Sequence, residues 1–473
     1  MEPWVKEIVD QARKTYGSVE VKTRGNNRYL YKATSKREPG KKYPKKVTGE
    51  YIGKITRQGL ITTQTRERTV YEYANSMLLS SILNEVTPQL RSCFPDEWKE
   101  LAALAIVRTI RNVPIKYVKD AWEKLYTSTQ LEASLSRNTV SEILRAVGAD
   151  WNAQSTFFSS LIKGKSIFYF DLSSIFSHSA NLNLAEKGYN KEHLFLDQVN
   201  FALLFSQEQK TPVMLKSMPG SIRDVKSLRY LMEEFPMKNC IVIMDRGFYS
   251  KTNIDIILSL SASFIQPLKR NSKLIDYSLK PNRPFTYRER GIAFTFKELN
   301  KGNANLKLFI YEDALLGGEE KSNLIKLQAK DDKRRIVVDE SRLGKVSILT
   351  NLDWSGEKVY GLYKEKEEIE QAFDAMKNEL ENDKCYLGDS DAVRGYFFVS
   401  FLSLYLYFRV LEKIRAVDLV GELSVEELLF LLSKVYVVKH ADGKERLTEI
   451  PKKVEALIAK LAIENVLPQE LGS

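Results

Sequence analysis

The chain has few of the residues that build disulfide frameworks and soft-metal sites. Its 473 residues include only three cysteines and three histidines. Cys93, Cys240 and Cys385 form no CxxC pair, which excludes a disulfide scaffold and a zinc signature and is typical of the reducing cytosol. Any bound metal is therefore expected to be a hard cation held by carboxylates.

Long apolar runs are also missing. The longest uncharged and mainly apolar stretch, residues 395–408, has 14 residues, fewer than the roughly 20 needed to cross a bilayer. It predicts a buried helix. Because the first six residues contain no apolar signal core, we predict a soluble, cytoplasmic protein that has no membrane partner.

Positive charge is concentrated near the N-terminus. The net charge is +11, and residues 21–60 alone contain twelve Lys or Arg against two Glu. A concentrated basic segment favours nucleic acid as a partner over a generally basic surface. Alternating polar and apolar residues around Pro39-Gly40 predict a basic β-hairpin. Its tyrosines pack either on DNA sugars or in the hairpin's own core, which is the favoured reading (Tyr29, Tyr31, Tyr43 and Tyr51).

Residues 85–163 show helical periodicity. Within them, residues 135–148 have a polar start at Ser136 and end in glycine. This spacing is typical of the recognition half of a helix-turn-helix, but many ordinary core helices show it too. The sequence leaves both readings open.

From Ser166 the pattern changes to that of an α/β layer. Continuous apolar runs near residues 166–171, 197–206, 211–217 and 241–245 predict buried strands. Charged residues with separate strand patterns interrupt the layer as a β-rich insertion. The predicted units are a basic, DNA-binding β-hairpin region (1–85), a helical DNA-binding or dimerisation region (86–164), the first part of an α/β core (165–270), the insertion (271–345), the second part of the core with a catalytic helix (346–437) and a C-terminal helical tail (438–473).

Two of the predicted strands end in an aspartate. The runs are Ser166-Ile-Phe-Tyr-Phe-Asp171 and Ile241-Val-Ile-Met-Asp245. Open α/β sheets place their sites at the carboxyl ends of strands, and a buried carboxylate requires a compensating cation or donor. Either aspartate alone has a second reading, that it caps the following turn.

A polar stripe is predicted on a helix over residues 363–377. At about 100° per residue, Tyr363, Lys366, Glu370 and Lys377 fall on one narrow stripe. Glu367 and Glu368 point away from it as solvated charge. The helix can bury its apolar side on the sheet and present the stripe along a cleft. An exposed ladder of ion pairs is the alternative. The adjoining apolar face contains Leu362, Ile369, Phe373, Met376 and Leu380.

The spacing Tyr363-x2-Lys366-x3-Glu370-x6-Lys377 resembles the Y-R-E-K signature of bacterial insertion-sequence transposases of the DDE type, in the insertion-sequence-four superfamily. Lysine replaces arginine at position 366. Asp171-Leu-Ser-Ser174 resembles the first aspartate motif of that family, and Asp245-Arg-Gly-Phe248 resembles the second. The resemblance extends over about half of the chain, from residue 166 to residue 409.

The resemblance implies a ribonuclease H-like catalytic core interrupted by the β-rich insertion, and the function of a cut-and-paste DNA transposase. Asp171, Asp245 and Glu370 are then the catalytic acids and hold two Mg²⁺ ions, for which Mn²⁺ is expected to substitute. Tyr363, Lys366 and Lys377 bind phosphates near the transposon end. The implied partners are double-stranded DNA, as terminal inverted repeats and target, and a second copy of the chain, at the bacterial nucleoid.

The predicted hairpin is expected to bind the repeat ends through Lys41, Lys42, Lys45 and Lys46. Two other functions remain open. A catalytically idle DNA-binding protein is favoured only by the lysine at position 366, and a structure-specific nuclease would use the same metal site. Tight binding without nicking indicates the first, and cleavage without joining indicates the second.

Overall fold

The chain is described here from a computed structural model. The described residues are 2–25, 27–36, 45–57, 59–62, 68–111, 113–162, 166–177, 179, 182–188, 196–222, 224–235, 237–301, 304–330, 339–379, 384–385, 387–440 and 444–467. Lys41, Lys42 and Tyr43 lie outside these residues. Among the described helices, none is both long enough and apolar enough to span a membrane.

The N-terminal residues form a module with its own apolar core. Its elements are helix α1 (Pro3–Tyr16) and strands β1 (Val19–Arg24), β2 (Asn27–Lys36), β3 (Lys45–Thr56) and β4 (Gly59–Thr62). The strands form an antiparallel sheet in the order β1-β2-β3-β4. Val5 and Val9 of α1 pack against Leu30, Ile52 and Ile55 on one face of this sheet. The pairing of β2 with β3 confirms the predicted hairpin.

The tyrosines of the hairpin lie on the other face of the sheet. Tyr29, Tyr31 and Tyr51 contact one another, with ring centroids 6.2 Å apart for Tyr29 and Tyr51 and 5.3 Å apart for Tyr31 and Tyr51, and none of them belongs to the apolar core of the module. The prediction that they pack in that core is wrong for these three. Alternation along β2 points Tyr29 and Tyr31 away from Leu30, and α1 covers only the side of Leu30.

Residues 74–160 are largely helical, as the periodicity predicts. Strand β5 (Arg68–Glu72) is followed by α2 (Ala74–Leu83), α3 (Thr87–Cys93), α4 (Trp98–Ile110), α5 (Val118–Trp122), α6 (Arg137–Ala149) and α7 (Trp151–Ser160). Ser136 caps α6 by accepting a hydrogen bond from the Thr139 backbone N–H at 3.2 Å. The buried face of α6, which includes Val140 and Leu144, packs on a helix at residues 390–416. Core packing therefore accounts for its apolar spacing.

The centre of the fold is an 11-stranded mixed sheet. Its first members are β6 (Ile167–Ser177), β7 (Glu186–Lys187), β8 (Asp197–Ser206), β9 (Thr211–Pro219), β10 (Ile241–Ile243) and β11 (Ser263–Pro267), with helices α8 (Asp224–Glu234) and α9 (Lys251–Ser259) between the last strands. Strand β6 runs antiparallel to β8 and parallel to β10, β8 antiparallel to β9, and β10 parallel to β11. The predicted buried strands are confirmed.

The region of the predicted insertion extends this sheet. It contains β12 (Arg283–Tyr287), β13 (Arg290–Lys301), β14 (Ala304–Asp313), helix α10 (Ala314–Lys330) and the start of β15 (Lys345–Thr350). Each of these strands pairs antiparallel with the next one along the chain, and β15 also pairs antiparallel with β11. The strand-rich character predicted for residues 271–345 is present, together with a 17-residue helix.

The rest of the chain supplies the helices that cover the sheet. These are α11 (Gly356–Lys364), α12 (Glu367–Asp374), α13 (Ser390–Ala416), α14 (Val425–Leu432) and α15 (Lys452–Lys460), with short strands β16 (Lys384–Cys385), β17 (Tyr436–His440) and β18 (Glu445–Leu447). Every residue from 397 to 406 of α13 is buried, which confirms the predicted buried helix. The residues predicted as a C-terminal helical tail include strands, since β17 pairs with the distant β5. The architecture is mixed α/β.

Candidate active site

Asp171 and Asp245 lie side by side because of the register between β6 and β10. Tyr169 of β6 pairs with Ile243 of β10 in the parallel direction. Each aspartate is two residues further along its own chain, and the backbone of Asp245 is still extended. Because side chains two residues apart on an extended chain share a face, both carboxylates project to the same side of the sheet.

The prediction that Asp171 ends its strand is wrong. Strand β6 continues to Ser177, and Asp171 pairs with Leu203 of β8. The antiparallel partner β8 keeps β6 extended after its parallel partner β10 has ended. Asp171 therefore lies where the parallel part of the sheet stops, with the Leu172 backbone N–H donating to its Oδ1 at 2.9 Å.

Glu370 is held against the sheet by the apolar side of α12. Ile369, Ala372 and Phe373 are buried, and the Phe373 ring lies 5.6 Å from that of Phe201 on β8. The predicted apolar face is thus confirmed for its described side chains. Burial of this face fixes the rotation of the helix and directs Glu370 toward the two aspartates.

The prediction of one continuous helix over residues 363–377 is wrong. Helix α11 ends at Lys364, α12 begins at Glu367, and a π-helical turn, Ala375–Glu379, contains Lys377. At the first junction, the Glu365 carboxylate accepts hydrogen bonds from Tyr169 Oη at 3.4 Å and Gln207 Nε2 at 3.0 Å. Side chains distant in sequence hold this junction, so the local pattern could not reveal it.

Lys366 lies at that junction and points among all three carboxylates. Its Nζ is 3.6 Å from Asp171 Oδ2, 3.8 Å from Asp245 Oδ1 and 3.8 Å from Glu370 Oε1. The structure therefore brings together the three acids predicted from sequence. Burial lowers the pKa of the Lys366 ammonium, but the three carboxylates raise it by more, so the net pKa is above its ordinary value. The ammonium stays charged.

The carboxylate cluster opens to solvent on one side. The side chains of Lys366 and Asp171 are 9% and 17% exposed, whereas those of Asp245 and Glu370 are 43% and 63% exposed. Lys366 and Asp171 thus form the floor of the site. A large substrate can approach from the side of Asp245 and Glu370.

Tyr363 lies beside this opening. Burial raises the pKa of its phenol, the Asp245 and Glu370 carboxylates raise it further, and Lys366 and Arg246 lower it. The net shift keeps the phenol neutral, as a hydrogen-bond donor. Arg246 was not among the residues predicted for the site, although its position directly after Asp245 in the sequence places a cation near the carboxylates.

Two neighbouring glutamates on α12 have other partners. Glu367 is exposed and pairs with Arg288 at 3.0 Å. Glu368 is largely buried and pairs with Lys210 at 2.8 Å, and burial raises the pKa of its carboxyl. The prediction that Glu368 is solvated is wrong, because the turn between β8 and β9 places Lys210 beside it.

The donor set suits a hard divalent cation. Within the described part of the chain, no three His, Cys, Asp or Glu side chains are placed to hold one metal ion. The three carboxylates instead surround an ammonium, so the cluster already stabilises positive charge. Oxygen-only ligands suit Mg²⁺, and ligation at about 2.1 Å requires the carboxylates to close and the ammonium to withdraw.

Comparison with known proteins gives a family for this part of the chain. The model of the transposase DDE domain family matches residues 164–406, which include all three acids. No curated protein is significantly similar to the chain. One similar solved structure is a cryo-EM structure of the piggyBac transposase synaptic complex with hairpin DNA, at TM-score 0.40 and 12% identity, over 86% of this chain and 89% of that chain. A likeness at this level assigns no residue and no activity.

Proposed function

This chain belongs to the transposase DDE domain family and is a DDE transposase, and we propose that Asp171, Asp245 and Glu370 are its catalytic acids. The observation that carries this assignment is the convergence of three carboxylates from three separate elements on one ammonium, each within 3.8 Å. The aspartates lie on neighbouring extended segments of a sheet, so their spacing is fixed before substrate arrives.

We propose that the core is ribonuclease H-like and that residues 363–377 carry a variant of the Y-R-E-K signature. The strand order β9-β8-β6-β10-β11 supports the first point, with an antiparallel half and a parallel half that meet at β6. The two aspartates lie on adjacent strands of this unit and the glutamate on a later helix. The strands of residues 271–345 come between them in sequence.

The proposed reaction is cut-and-paste transposition. A dimer pairs two terminal inverted repeats, cleaves the transferred strands and joins their 3′ ends to target DNA. Two Mg²⁺ ions, when bound by the three acids, would activate the attacking oxygen and stabilise the leaving oxygen. Asp171, on the floor of the site and oriented by the Leu172 N–H, would help to hold both ions.

Tyr363, Lys366 and Lys377 are proposed to hold phosphates near the reacting bond. The neutral Tyr363 phenol beside the opening can donate a hydrogen bond to a phosphate oxygen. Lys366 is a point charge and cannot form the planar two-donor contact of an arginine. Its four-carbon stem allows the ammonium to move from the carboxylates to a phosphate.

The Lys366→Met variant is expected to depend on divalent cations for its stability. Loss of the ammonium leaves three carboxylates facing one another, and a bound cation relieves their repulsion. Thermal unfolding in a MgCl₂ titration should show a larger rise in Tm for this variant than for the parent, worth about 2.7 kcal/mol when Mg²⁺ reaches 100 times its Kd.

Lys210→Met is the matched control for that titration, because Lys210 pairs with Glu368 away from the cluster. Its response to Mg²⁺ should equal that of the parent. If Lys366→Met shows no greater response than Lys210→Met, the three acids do not share a cation site.

The N-terminal lysines are proposed to bind the repeat ends electrostatically. Neutralising Lys41, Lys42, Lys45 and Lys46 together should weaken end binding and lower the slope of log K against log salt by about 0.9 for each lost phosphate contact. Fluorescence anisotropy at several salt concentrations measures both quantities. A control variant neutralises four exposed lysines elsewhere (Lys434, Lys452, Lys453 and Lys460). Equal slopes for the two variants would show that the hairpin lysines do not contact the DNA phosphates.

A strand-transfer assay separates transposition from the two other functions. Labelled duplex ends are incubated with Mg²⁺ and a supercoiled target, using the inverted repeats that border the coding region. A covalently joined product is expected. Cleavage without joining would favour a nuclease, and tight binding without Mg²⁺-dependent nicking would favour an idle DNA-binding protein.

A further inference from the structure

The face of the N-terminal sheet opposite α1 carries an ordered set of aromatic and basic side chains. Cross-strand register places Lys22, Tyr29 and Lys54 in one row across β1, β2 and β3. Glu20, Tyr31 and Tyr51 occupy the next row. Because directly opposite residues of antiparallel strands share a face, these six residues form one surface, here named the tyrosine face.

The tyrosine face is built as a contact surface rather than as part of a core. All three tyrosines are half-buried, the Tyr51 ring contacts the other two, and the Lys22 ammonium lies 5.3 Å from the Tyr31 ring centroid. The apolar residues of the same strands, such as Leu30, point to α1. Tyrosine has a broad apolar ring and a polar hydroxyl, which suits a surface that is solvated in the free protein and loses water when a partner binds.

The charge of the sheet indicates what covers this face. Strands β1 to β4 contain eight Lys or Arg against two Glu. Each glutamate has a lysine beside it, since Glu20, on the tyrosine face, lies 3.8 Å from Lys22 and Glu50 lies 3.4 Å from Lys32. No acidic side chain of the described residues forms an ion pair with Lys54. A polyanion is therefore the complementary partner.

The spacing of the two lysines fits a DNA duplex. Neighbouring strands are about 4.8 Å apart, so the backbones of Lys22 and Lys54 are separated by about 10 Å across β2. With their flexible stems, the two ammonium groups can reach the phosphates on both sides of a major groove about 12 Å wide. Tyr29 lies between the two lysines, where it would face the sugars and base edges of the groove.

We propose that the tyrosine face binds duplex DNA at the transposon end, with Tyr29, Tyr31 and Tyr51 against the groove. Lys54 and Lys22 contact phosphates on either side, and Lys22 exchanges its ion pair with Glu20 for the phosphate. This inference rests on the proposed function, since it takes the transposon end as the ligand. It adds a second contact surface to the hairpin lysines. The sheet then lies flat on the duplex, and α1 faces solvent.

The test measures binding of the full chain to a fluorescent end duplex without divalent cations, at several salt concentrations. Lys22→Gln with Lys54→Gln should weaken binding about tenfold and lower the salt slope by about two, one for each phosphate contact. Tyr31→Leu with Tyr51→Leu should weaken binding without changing the slope. The matched control, Lys6→Gln with Lys14→Gln, removes two exposed lysines from α1 and should bind like the parent.

Thermal unfolding and circular dichroism first establish that each variant is folded. Parent-like affinity and slope for Lys22→Gln with Lys54→Gln would overturn the proposal. Tighter binding to single-stranded DNA of the same sequence would also overturn it, because the tyrosines would then stack on unpaired bases. These outcomes are separate from the active-site assignment, since binding without divalent cations does not depend on Asp171, Asp245 or Glu370.

Discussion

The Asp171→Asn variant is expected to lose Mg²⁺-dependent cleavage of transposon ends by about 10³-fold or more. Bound metal ions stabilise the transition state of phosphodiester chemistry by several kcal/mol, and each 1.36 kcal/mol is a factor of about ten in rate. Asp171 is on the floor of the site, and its Oδ2 lies 3.6 Å from the Lys366 ammonium that all three carboxylates surround. Asp245→Asn and Glu370→Gln should show losses of the same order. Single-turnover cleavage of a labelled end duplex gives these rates.

Glu367→Gln is the matched control for Glu370→Gln. Both residues lie on α12 and have similar exposure, 59% for Glu367 and 63% for Glu370, but Glu367 faces Arg288 rather than the aspartates. Its cleavage rate should stay within a few-fold of the parent. Equal rates for the two variants would show that orientation toward the carboxylate cluster is irrelevant, and the assignment of Glu370 would be lost.

The Gly395→Ala variant is expected to be strongly destabilised. Helices α6 and α13 touch through their backbones, and a Cβ at Gly395 would lie 1.9 Å from the Leu144 carbonyl oxygen. On the facing helix, a Cβ at Gly148 would lie 1.7 Å from the Asp391 carbonyl oxygen. Neither obstacle is a side chain that can rotate away, so the helices must separate. We expect a loss of about 3 kcal/mol or more, visible as a lower midpoint in urea unfolding.

Gly318→Ala gives a control of opposite sign. Gly318 lies on the exposed side of α10, where a Cβ would meet no atom within 4 Å. Alanine there should raise stability by about 0.5–1 kcal/mol, because glycine loses more backbone freedom on folding. If Gly395→Ala unfolds at the same urea concentration as Gly318→Ala, the contact between α6 and α13 is not as close as described.

Much of the core could be predicted because a strand that is buried on both faces has a recognisable local sequence pattern. Strand β8 occupies the predicted residues 197–206, since a strand covered on both faces reads as a continuous apolar run. The apolar side of α12 was likewise visible in the spacing of Ile369, Phe373 and Met376. The meeting of Asp171, Asp245 and Glu370 was predicted from the family resemblance, and the register of β6 and β10 gives it a physical basis.

Features that depend on distant partners could not be predicted. The junction at residues 365–366 is held by Tyr169 and Gln207, and the strand β17 by its pairing with β5. Lys366 was expected on a phosphate, whereas its ammonium lies among three carboxylates. The tyrosines of the N-terminal sheet are outside its core because α1 packs on the opposite face. The sequence of β2 and β3 does not show which face a helix will cover.

Anomalous diffraction from Mn²⁺ in crystals of the full chain with an end duplex tests the central claim most directly. Peaks are expected about 2.1 Å from carboxylate oxygens of Asp171, Asp245 and Glu370, with the Lys366 ammonium displaced from among them. Peaks ligated by other residues, or an ammonium still between the three carboxylates while Mn²⁺ is bound elsewhere, would contradict the account.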